Sequence, residues 1–251
     1  MIDRRSLLSW LGVSVGGALN RGSGEQRPKT AGVVALESFH VADAKQMPRL
    51  HAYLGGALLP LMNETHHRAG FCLEAIVAPK TPQALVLAAF SSFDEMLATR
   101  SRIAAHHLIQ NMRAELESAG VFTEVQSQVF VCTQDGLQFP LDSDRKKAGI
   151  FEMRSYHCPA WQAAPPSTLT AVLNRAGIRP ILNAAYAAGE HIPQFTFLIP
   201  FESLGARQDA WARLGADPDW IEIEREAAKD GLCVKVTAKS IYKLTPYSRL
   251  A

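Results

Sequence analysis

Two short sequence landmarks recur along this chain, and their recurrence constrains the fold more than any other feature. The first is Ser38-Phe39-His40, which matches Ser155-Tyr156-His157. The second is Phe90-Ser91-Ser92-Phe93, which matches Phe201-Glu202-Ser203-Leu204. The matched segments stand 117 and 111 residues apart (38 to 155, 90 to 201). We interpret this as an internal duplication of one domain.

Each half predicts strands and helices in the same order, β-α-β-β-α-β. In the first half, apolar runs predict strands and helical periodicity predicts helices. The strands are 33–41, 71–78, 84–90 and 126–133, and the helices are 51–67, broken or kinked at Pro60, and 92–118. The second half predicts strands at 150–157, 194–199 and 232–244, helices at 169–187 and 204–214, and a compressed strand near 179–186.

This order is the split βαβ plan of ferredoxin-like domains. Such a sheet has helices on one face only, so a second sheet must cover the other face. We therefore expect an α+β protein in which two fused ferredoxin-like units form one pseudo-dimeric α+β barrel. The expected domains are residues 31–134 and 149–251, joined by a polar linker at 135–148. The sequence leaves open whether the barrel interior is a cavity or is filled by side chains.

The second half also carries a series of short motifs. They are Phe151–Tyr156 (FEMRSY), Gly177–Pro180 (GIRP), Phe201–Leu204 (FESL) followed by Arg207 and Trp211, Ala216–Trp220 (ADPDW) and Leu244–Ser248 (LTPYS). Over about residues 149 to 248 these motifs resemble the NIPSNAP family, and the resemblance is weaker over 31–134. It implies a ferredoxin-like unit that pairs into a dimeric α+β barrel. It implies no particular reaction.

The N-terminus resembles an export signal. Arg4 and Arg5 precede Ser6-Leu7-Leu8 and an apolar segment that runs to about Leu19, as in a Tat signal. That segment is too short and too rich in glycine to span a bilayer comfortably. We expect residues 1–30 to be a signal peptide and flexible lead-in, the mature protein to be periplasmic or secreted, and no stable membrane anchor after cleavage. A cytoplasmic protein with an ordinary N-terminal helix is the alternative.

Composition and motifs exclude several classes of protein. The net charge is only +2, with lysine and arginine scattered, which argues against a nucleic-acid partner. The chain has no phosphate loop or dinucleotide fingerprint. No metal site is predicted, because the sequence has neither an HExxH motif nor a cluster of Cys and His residues.

Five residues near the matched first strands are candidates for a ligand pocket. They are Glu37, His40, Arg154, Tyr156 and His157. Glu37 and Arg154 occupy equivalent positions, so we expect them to approach one another across the barrel. They would form a polar centre suited to a small anionic or amphipathic ligand; a structural ion pair is the alternative.

The chain has four cysteines, and two of them suggest a disulfide bond. Cys158 ends the first strand of the second half and Cys233 begins the fourth, and these strands are antiparallel neighbours in a ferredoxin-like sheet. A Cys158–Cys233 bond is therefore expected in an exported protein. Cys72 and Cys132 are expected to stay free and buried. Four buried thiols in a reduced protein are the alternative.

Three functions fit these observations. The first is a non-catalytic module that binds a small hydrophobic or amphipathic molecule, or a protein partner, in or around the inter-sheet cavity. The second, implied by the superfamily, is a monooxygenase-like or haem-dependent oxidoreductase. The third is a structural subunit of a homo-oligomer. No cofactor is predicted, and haem enters only with the second function. Whether the protein is an enzyme stays open.

Overall fold

The computed structural model describes residues 32–65, 70–137, 147–157, 167–188, 194–229 and 235–248. The strands are β1 Val33–Val41, β2 Gly70–Val77, β3 Gln83–Phe90, β4 Phe122–Leu137, β5 Ile150–His157, β6 Leu182–Ala188, β7 Gln194–Phe201 and β8 Lys235–Leu244. The helices are α1 Met47–Tyr53, α2 Leu59–Thr65, α3 Phe93–Ala105, α4 His107–Ser118, α5 Ser167–Ala176, α6 Leu204–Ala216 and α7 Pro218–Lys229.

The eight strands close into one barrel in the order β1-β3-β2-β8-β5-β7-β6-β4. Every neighbouring pair is antiparallel. Strands β1 and β5 therefore stand on opposite walls and run in the same direction. Their registers also correspond, because Glu37 pairs with Val86 just as Arg154 pairs with Phe197. These pairs differ by the same 117 and 111 residues that separate the sequence landmarks (37 to 154, 86 to 197).

Apolar side chains fill the middle of the barrel. Alternation along each strand sends every second residue inward; the inward-facing core includes Leu36, Phe71, Leu73, Phe130, Phe151, Leu182, Tyr186, Leu198 and Tyr242. The rings of Phe130 and Tyr186 meet edge to face at 4.4 Å. The described interior is thus a packed core, which answers the question that the sequence leaves open.

The outward faces of the strands are covered by two separate helix layers. In the first half, Ala35 and Phe39 of β1 pack with Leu50, Tyr53 and other residues of the helix layer. In the second half, Ile150 and Ile199 pack with Val172 of α5 and Leu214 of α6. Any site between a sheet and its helices is therefore separated from the other half by the packed barrel interior.

Three helices begin at a side-chain cap that the sequence itself supplies. Ser92 accepts a hydrogen bond from the backbone N–H of Glu95, and Ser203 accepts one from Ala206. Asp217 caps α7 by accepting from the N–H groups of Asp219 and Trp220. These side chains satisfy backbone donors that have no partner within the first helical turn.

Three helix predictions need correction. The first helix is not broken at Pro60, since a π-helical segment at Leu54–Leu58 joins α1 to α2. The predicted helix 92–118 is divided at His106, whose backbone is extended. The helix predicted for 169–187 stops at Ala176 because Gly177 adopts a φ of 84°, and β6 follows.

The C-terminal segment of the second half docks on the first half. The hydroxyl of Tyr247 lies 2.6 Å from Nδ1 of His51 and 3.5 Å from Sγ of Cys72. Its ring lies against Gly55 in the π-helical segment, where an added Cβ would come within 2.6 Å of the ring. Ser248 Oγ accepts from the Cys72 N–H at 2.7 Å. The absence of a side chain at Gly55 makes room for the phenol ring.

This contact predicts opposite effects for two neighbouring substitutions. Gly55→Ala should lower the free energy of unfolding by about 1–3 kcal/mol, because its methyl group collides with the Tyr247 ring. Gly56→Ala is the matched control, since nothing lies within 4 Å of its added Cβ, and it should raise stability by about 0.5–1 kcal/mol. Urea denaturation of both variants measures the difference. Equal effects would contradict the docking of Tyr247 at Gly55.

Candidate functional site

A buried polar cluster lies between β5 and α6 in the second half. Alternation along β5 places Glu152, Arg154 and Tyr156 on the outward face, towards the helices. Arg207 and Trp211 stand four residues apart on α6 and so share one face of that helix. Hydrogen bonds join four of these residues, and Arg154 links Tyr156 to them.

Glu152 is the centre of the cluster. Its side chain is 0% exposed. One carboxylate oxygen accepts from Arg154 Nε at 2.9 Å and from Arg207 Nη2 at 2.6 Å, and the other accepts from Trp211 Nε1 at 2.7 Å. Three donors from a strand and a helix therefore compensate for the desolvation of one carboxylate.

Arg154 is held by stacking as well as by its hydrogen bonds. Its guanidinium carbon lies 3.3 Å from the centroid of the Trp211 ring, an arrangement that favours a cation over an aromatic face. Its Nη1 is 3.4 Å from the Tyr156 hydroxyl. The Tyr156 ring meets Phe197 edge to face at 5.8 Å. The cation is thus fixed at the border between a polar cluster and an aromatic surface.

The pKa of Glu152 is set by two opposing effects. Burial alone would raise it, but hydrogen bonds from Arg207, Arg154 and Trp211 and the charge of Arg154 outweigh burial and hold the pKa below its ordinary value. Burial raises the pKa of Tyr156 despite the nearby Arg154 charge. At neutral pH Glu152 is therefore ionised and Tyr156 is a neutral phenol.

The cluster contains more positive than negative charge. Among the described residues, Glu152 is the one carboxylate that bonds to Arg154 and Arg207, whose side chains are 11% and 23% exposed. Nε of Arg207 is buried and has no hydrogen-bond partner in the described part of the chain. Oδ1 of Asn183 is buried and lacks a partner there too. Buried polar groups without partners are rare in folded proteins.

Asn183 belongs to the same face as the cluster. In the sheet it pairs with Phe197 of β7, and Phe197 pairs with Arg154 of β5. Its neighbours Leu182 and Ala184 face the barrel interior, so Asn183 faces the helices. Asn183, Phe197 and Arg154 thus form one row across the outward face of the sheet.

The structure does not bring the sequence-predicted pocket residues together. Glu37 lies on the opposite wall from Arg154 and forms an ion pair with Arg100 of α3 at 3.4 Å. The alternation placed both residues on matching faces, but those faces point outward to separate helix layers. The packed interior lies between them, so the expected approach of Glu37 and Arg154 does not occur.

His40 occupies a different place from both charged residues. It is 6% exposed, and its Nδ1 lies 3.2 Å from the backbone oxygen of Lys80. Its Nε2 is buried without a partner among the described residues. His157 pairs through its backbone with Gln194 and Lys235, but its side chain lies outside the described residues.

The cysteine predictions are resolved in part. Cys72 and Cys132 are free; Cys72 is buried, whereas Cys132 is partly exposed. Burial raises the pKa of the Cys72 thiol to about 12, so it stays protonated. Cys158 and Cys233 lie outside the described residues, as do Arg4 and Arg5, and their predicted roles remain predictions.

Sequence reasoning missed three residues of the cluster, Glu152, Arg207 and Trp211, and it also missed Asn183 on the same face of the sheet. Glu152, Arg154 and Tyr156 alternate along one strand, and Arg207 and Trp211 lie one helical turn apart. Those spacings place the first three residues on one face of the strand and the other two on one face of the helix. No sequence signal marked Asn183, because β6 was the least regular of the predicted strands.

The described residues do not fit haem at this cluster. Haem iron takes an axial His, Cys, Met or Tyr ligand. Among the five residues of the cluster, Tyr156 is the one that belongs to these ligand types. Burial raises the pKa of its phenol. His51 is occupied by Tyr247 and Glu74. In the described ranges no group of three or more His, Cys, Asp or Glu residues is arranged to hold a metal ion, and no helix is long and apolar enough to cross a bilayer.

Residues 150–249 match the family model described as NIPSNAP. A NIPSNAP domain is therefore present, and it contains the whole cluster. A search of the curated proteins finds no match. Five of the motif residues of the resemblance meet between β5 and α6, namely Glu152, Arg154, Tyr156, Arg207 and Trp211.

Several solved structures are similar to this chain. A NIPSNAP family protein from Agrobacterium tumefaciens str. C58 is 11% identical, with a TM-score of 0.35, covering 41% of this chain and 93% of that one. A chlorite dismutase from Candidatus Nitrospira defluvii is 9% identical, with a TM-score of 0.47, covering 86% and 92%. A haem-binding protein from Thermus thermophilus is 10% identical, with a TM-score of 0.48, covering 86% and 92%. At such low similarity none of them bears on function.

The cluster predicts a large and pH-dependent effect of removing the Glu152 charge. Glu152→Gln should lower the free energy of unfolding by about 3 kcal/mol at neutral pH, because two buried guanidinium groups lose their carboxylate. Glu202→Gln, an exposed change at the end of the neighbouring strand, is the control and should have little effect. Denaturant titration monitored by tryptophan fluorescence measures both.

The sign of the pH dependence follows from the lowered pKa of Glu152. Its contribution to stability is complete above its ordinary value of 4.5 and is lost as the pH falls through the folded-state pKa. The difference between wild type and Glu152→Gln should thus be constant between about pH 6 and 8 and should shrink below about 4.5. A difference that grows in acid would contradict this assignment.

Proposed function

We propose that the NIPSNAP domain binds a small amphipathic anion between its sheet and helix α6. The observation that carries this proposal is the excess charge of the cluster: two largely buried guanidinium groups share one carboxylate, and Arg207 Nε has no partner among the described residues. A buried cation without a full complement of partners is costly. A ligand carboxylate would balance the charge and suits the planar, forked donors of arginine.

The neighbouring aromatic side chains support an amphipathic ligand over a simple inorganic anion. Tyr156 and Phe197 meet edge to face, and Phe197 meets Phe195 in the same way at 4.9 Å. Both Tyr156 and Phe197 are only partly buried. They offer apolar ring surface beside the arginines, so the head of a ligand can pair with charge while its body packs on rings.

The corresponding region of the first half supports no such site. The positions equivalent to Glu152, Arg154 and Tyr156 are Ala35, Glu37 and Phe39. Ala35 and Phe39 are buried in the apolar core with Tyr53 and Leu50. Glu37 and Arg100 balance each other one to one. The first half is therefore proposed to be a structural unit, and the second half the binding unit.

We further propose that the halves are two duplicated ferredoxin-like units. The ring contains four consecutive strands of each half, in the orders β4-β1-β3-β2 and β8-β5-β7-β6. These orders correspond, and the β1–β3 register corresponds to the β5–β7 register. A fused pair of this kind supplies within one chain the second sheet that a single unit lacks.

We propose export through the Tat route, on the basis of Arg4, Arg5 and the apolar segment that follows them. We also propose a disulfide bond between Cys158 and Cys233, because β5 and β8 pair as far as His157 and Lys235. Replacing Arg4 and Arg5 with lysine should retain the protein in the cytoplasm. Fractionation with peptide mass mapping tests both proposals. Export of the double-lysine variant, or unlinked Cys158 and Cys233 peptides from exported protein, would contradict them.

The binding proposal is tested with benzoate and its neutral analogue benzamide. Wild-type protein should bind benzoate more tightly, because benzamide lacks the charge that the arginines require. Arg207→Gln should weaken benzoate binding by about 10- to 100-fold, the effect of one charged hydrogen bond. Isothermal titration calorimetry of the full chain gives both affinities.

Arg225→Gln is the matched control for this titration. Arg225 is an exposed arginine of α7 that pairs with Glu222 and Glu226, and its loss should leave benzoate binding unchanged. Equal binding of benzoate and benzamide, or equal effects of the two arginine variants, would refute an anion site at the cluster.

A further inference from the structure

We infer that the ligand of the NIPSNAP domain is a hydroxyaryl carboxylate, whose hydroxyl group donates to Asn183 while its carboxylate pairs with Arg154 and Arg207. This inference rests on the proposed anion site and names the class of ligand that the site takes. It is based on a comparison between the two halves of the barrel, one of which already contains a phenol at the corresponding place.

Cys72 in the first half and Asn183 in the second occupy equivalent positions. Cys72 pairs with Val86, which pairs with Glu37. Asn183 pairs with Phe197, which pairs with Arg154. Both residues face the helix layer of their own half, because their neighbours Leu73 and Ala184 face the barrel interior. The two halves thus present one residue each at the same point of the sheet.

In the first half a phenol occupies that point. The Tyr247 hydroxyl approaches Cys72 Sγ at 3.5 Å and His51 Nδ1 at 2.6 Å. The ring is admitted by Gly55 and lies between the sheet and the helical layer. It arrives there because the chain leaves β8 at Leu244 and turns over the end of β2, where the Thr245 N–H donates to the Cys72 oxygen.

In the second half the chain supplies no such phenol among the described residues. Leu244 pairs with Leu73, and its counterpart Cys132 pairs with Ala184. After Cys132 the chain continues in β4 as far as Leu137 instead of turning over the sheet.

The buried Asn183 Oδ1, which has no partner in the described part of the chain, is therefore placed where the first half receives a phenol hydroxyl. A ligand hydroxyl there would satisfy this acceptor. Phe197 separates Asn183 from Arg154 in the row across the sheet. The two outer Cα atoms are two strand spacings apart, about 9–10 Å. One aromatic ring substituted at opposite ends suits this span and packs on Phe197.

The test compares 4-hydroxybenzoate with benzoate on the full chain by isothermal titration calorimetry. Wild-type protein should bind 4-hydroxybenzoate about five- to tenfold more tightly, the effect of one additional hydrogen bond to a buried acceptor. Asn183→Leu should remove this preference, so that the variant binds 4-hydroxybenzoate and benzoate equally. Asn174→Leu, the same change at an exposed position of α5, should retain the preference.

The outcomes separate this inference from the proposed function. Equal affinities of wild-type protein for the two compounds would overturn the hydroxyaryl assignment, while an Arg207-dependent affinity for benzoate would leave the anion site in place. A preference that survives Asn183→Leu would also overturn the assignment to Asn183. If neither compound binds wild-type protein, the proposed function fails and this inference fails with it. The wild-type comparison decides the question even where a variant does not fold.

Discussion

The buried carboxylate of Glu152 is the interaction on which the second half depends. It receives donors from β5 and α6, and so fixes the distance and rotation of the helix relative to the sheet. An unpaired charge in this place would cost several kcal/mol, so the three donors must be present together. The same geometry holds Arg154 against the Trp211 ring and Arg207 against the Glu152 carboxylate. Structural support and the proposed ligand recognition therefore share one set of residues.

The barrel allows its two halves to differ because its interior separates them. Once apolar side chains fill the interior, each helix layer can change without disturbing the opposite wall. In the first half the layer between sheet and helices is apolar, and the ring of Tyr247 packs against Gly55. The second half retains polar groups whose hydrogen-bonding capacity is incomplete among the described residues. This difference between the two helix-side surfaces is the reason why the second half is proposed to bind a ligand.

The sequence predicted the architecture well and the site poorly, and the physical reason differs between the two. Strand periodicity and capping residues such as Ser92, Ser203 and Asp217 are local signals, so most elements were predicted within a few residues. The pairing of Glu37 with Arg154 was a long-range inference. It failed because alternation tells which residues share a face but does not tell whether that face meets the interior or the helices. The roles of the polar groups of Glu152 and Asn183 can be inferred only when their neighbours in the folded structure are known.

The central claim is that the helix-side surface of the NIPSNAP domain, and not the barrel interior or the first half, holds the ligand. A crystal structure of the protein soaked with 4-bromobenzoate tests it most directly, because anomalous scattering locates the bromine atom without prior assumptions. The account predicts one bromine peak beside Asn183, with the ring over Phe197 and the carboxylate within hydrogen-bonding distance of Arg207. A peak inside the barrel or against the helices of the first half would contradict it.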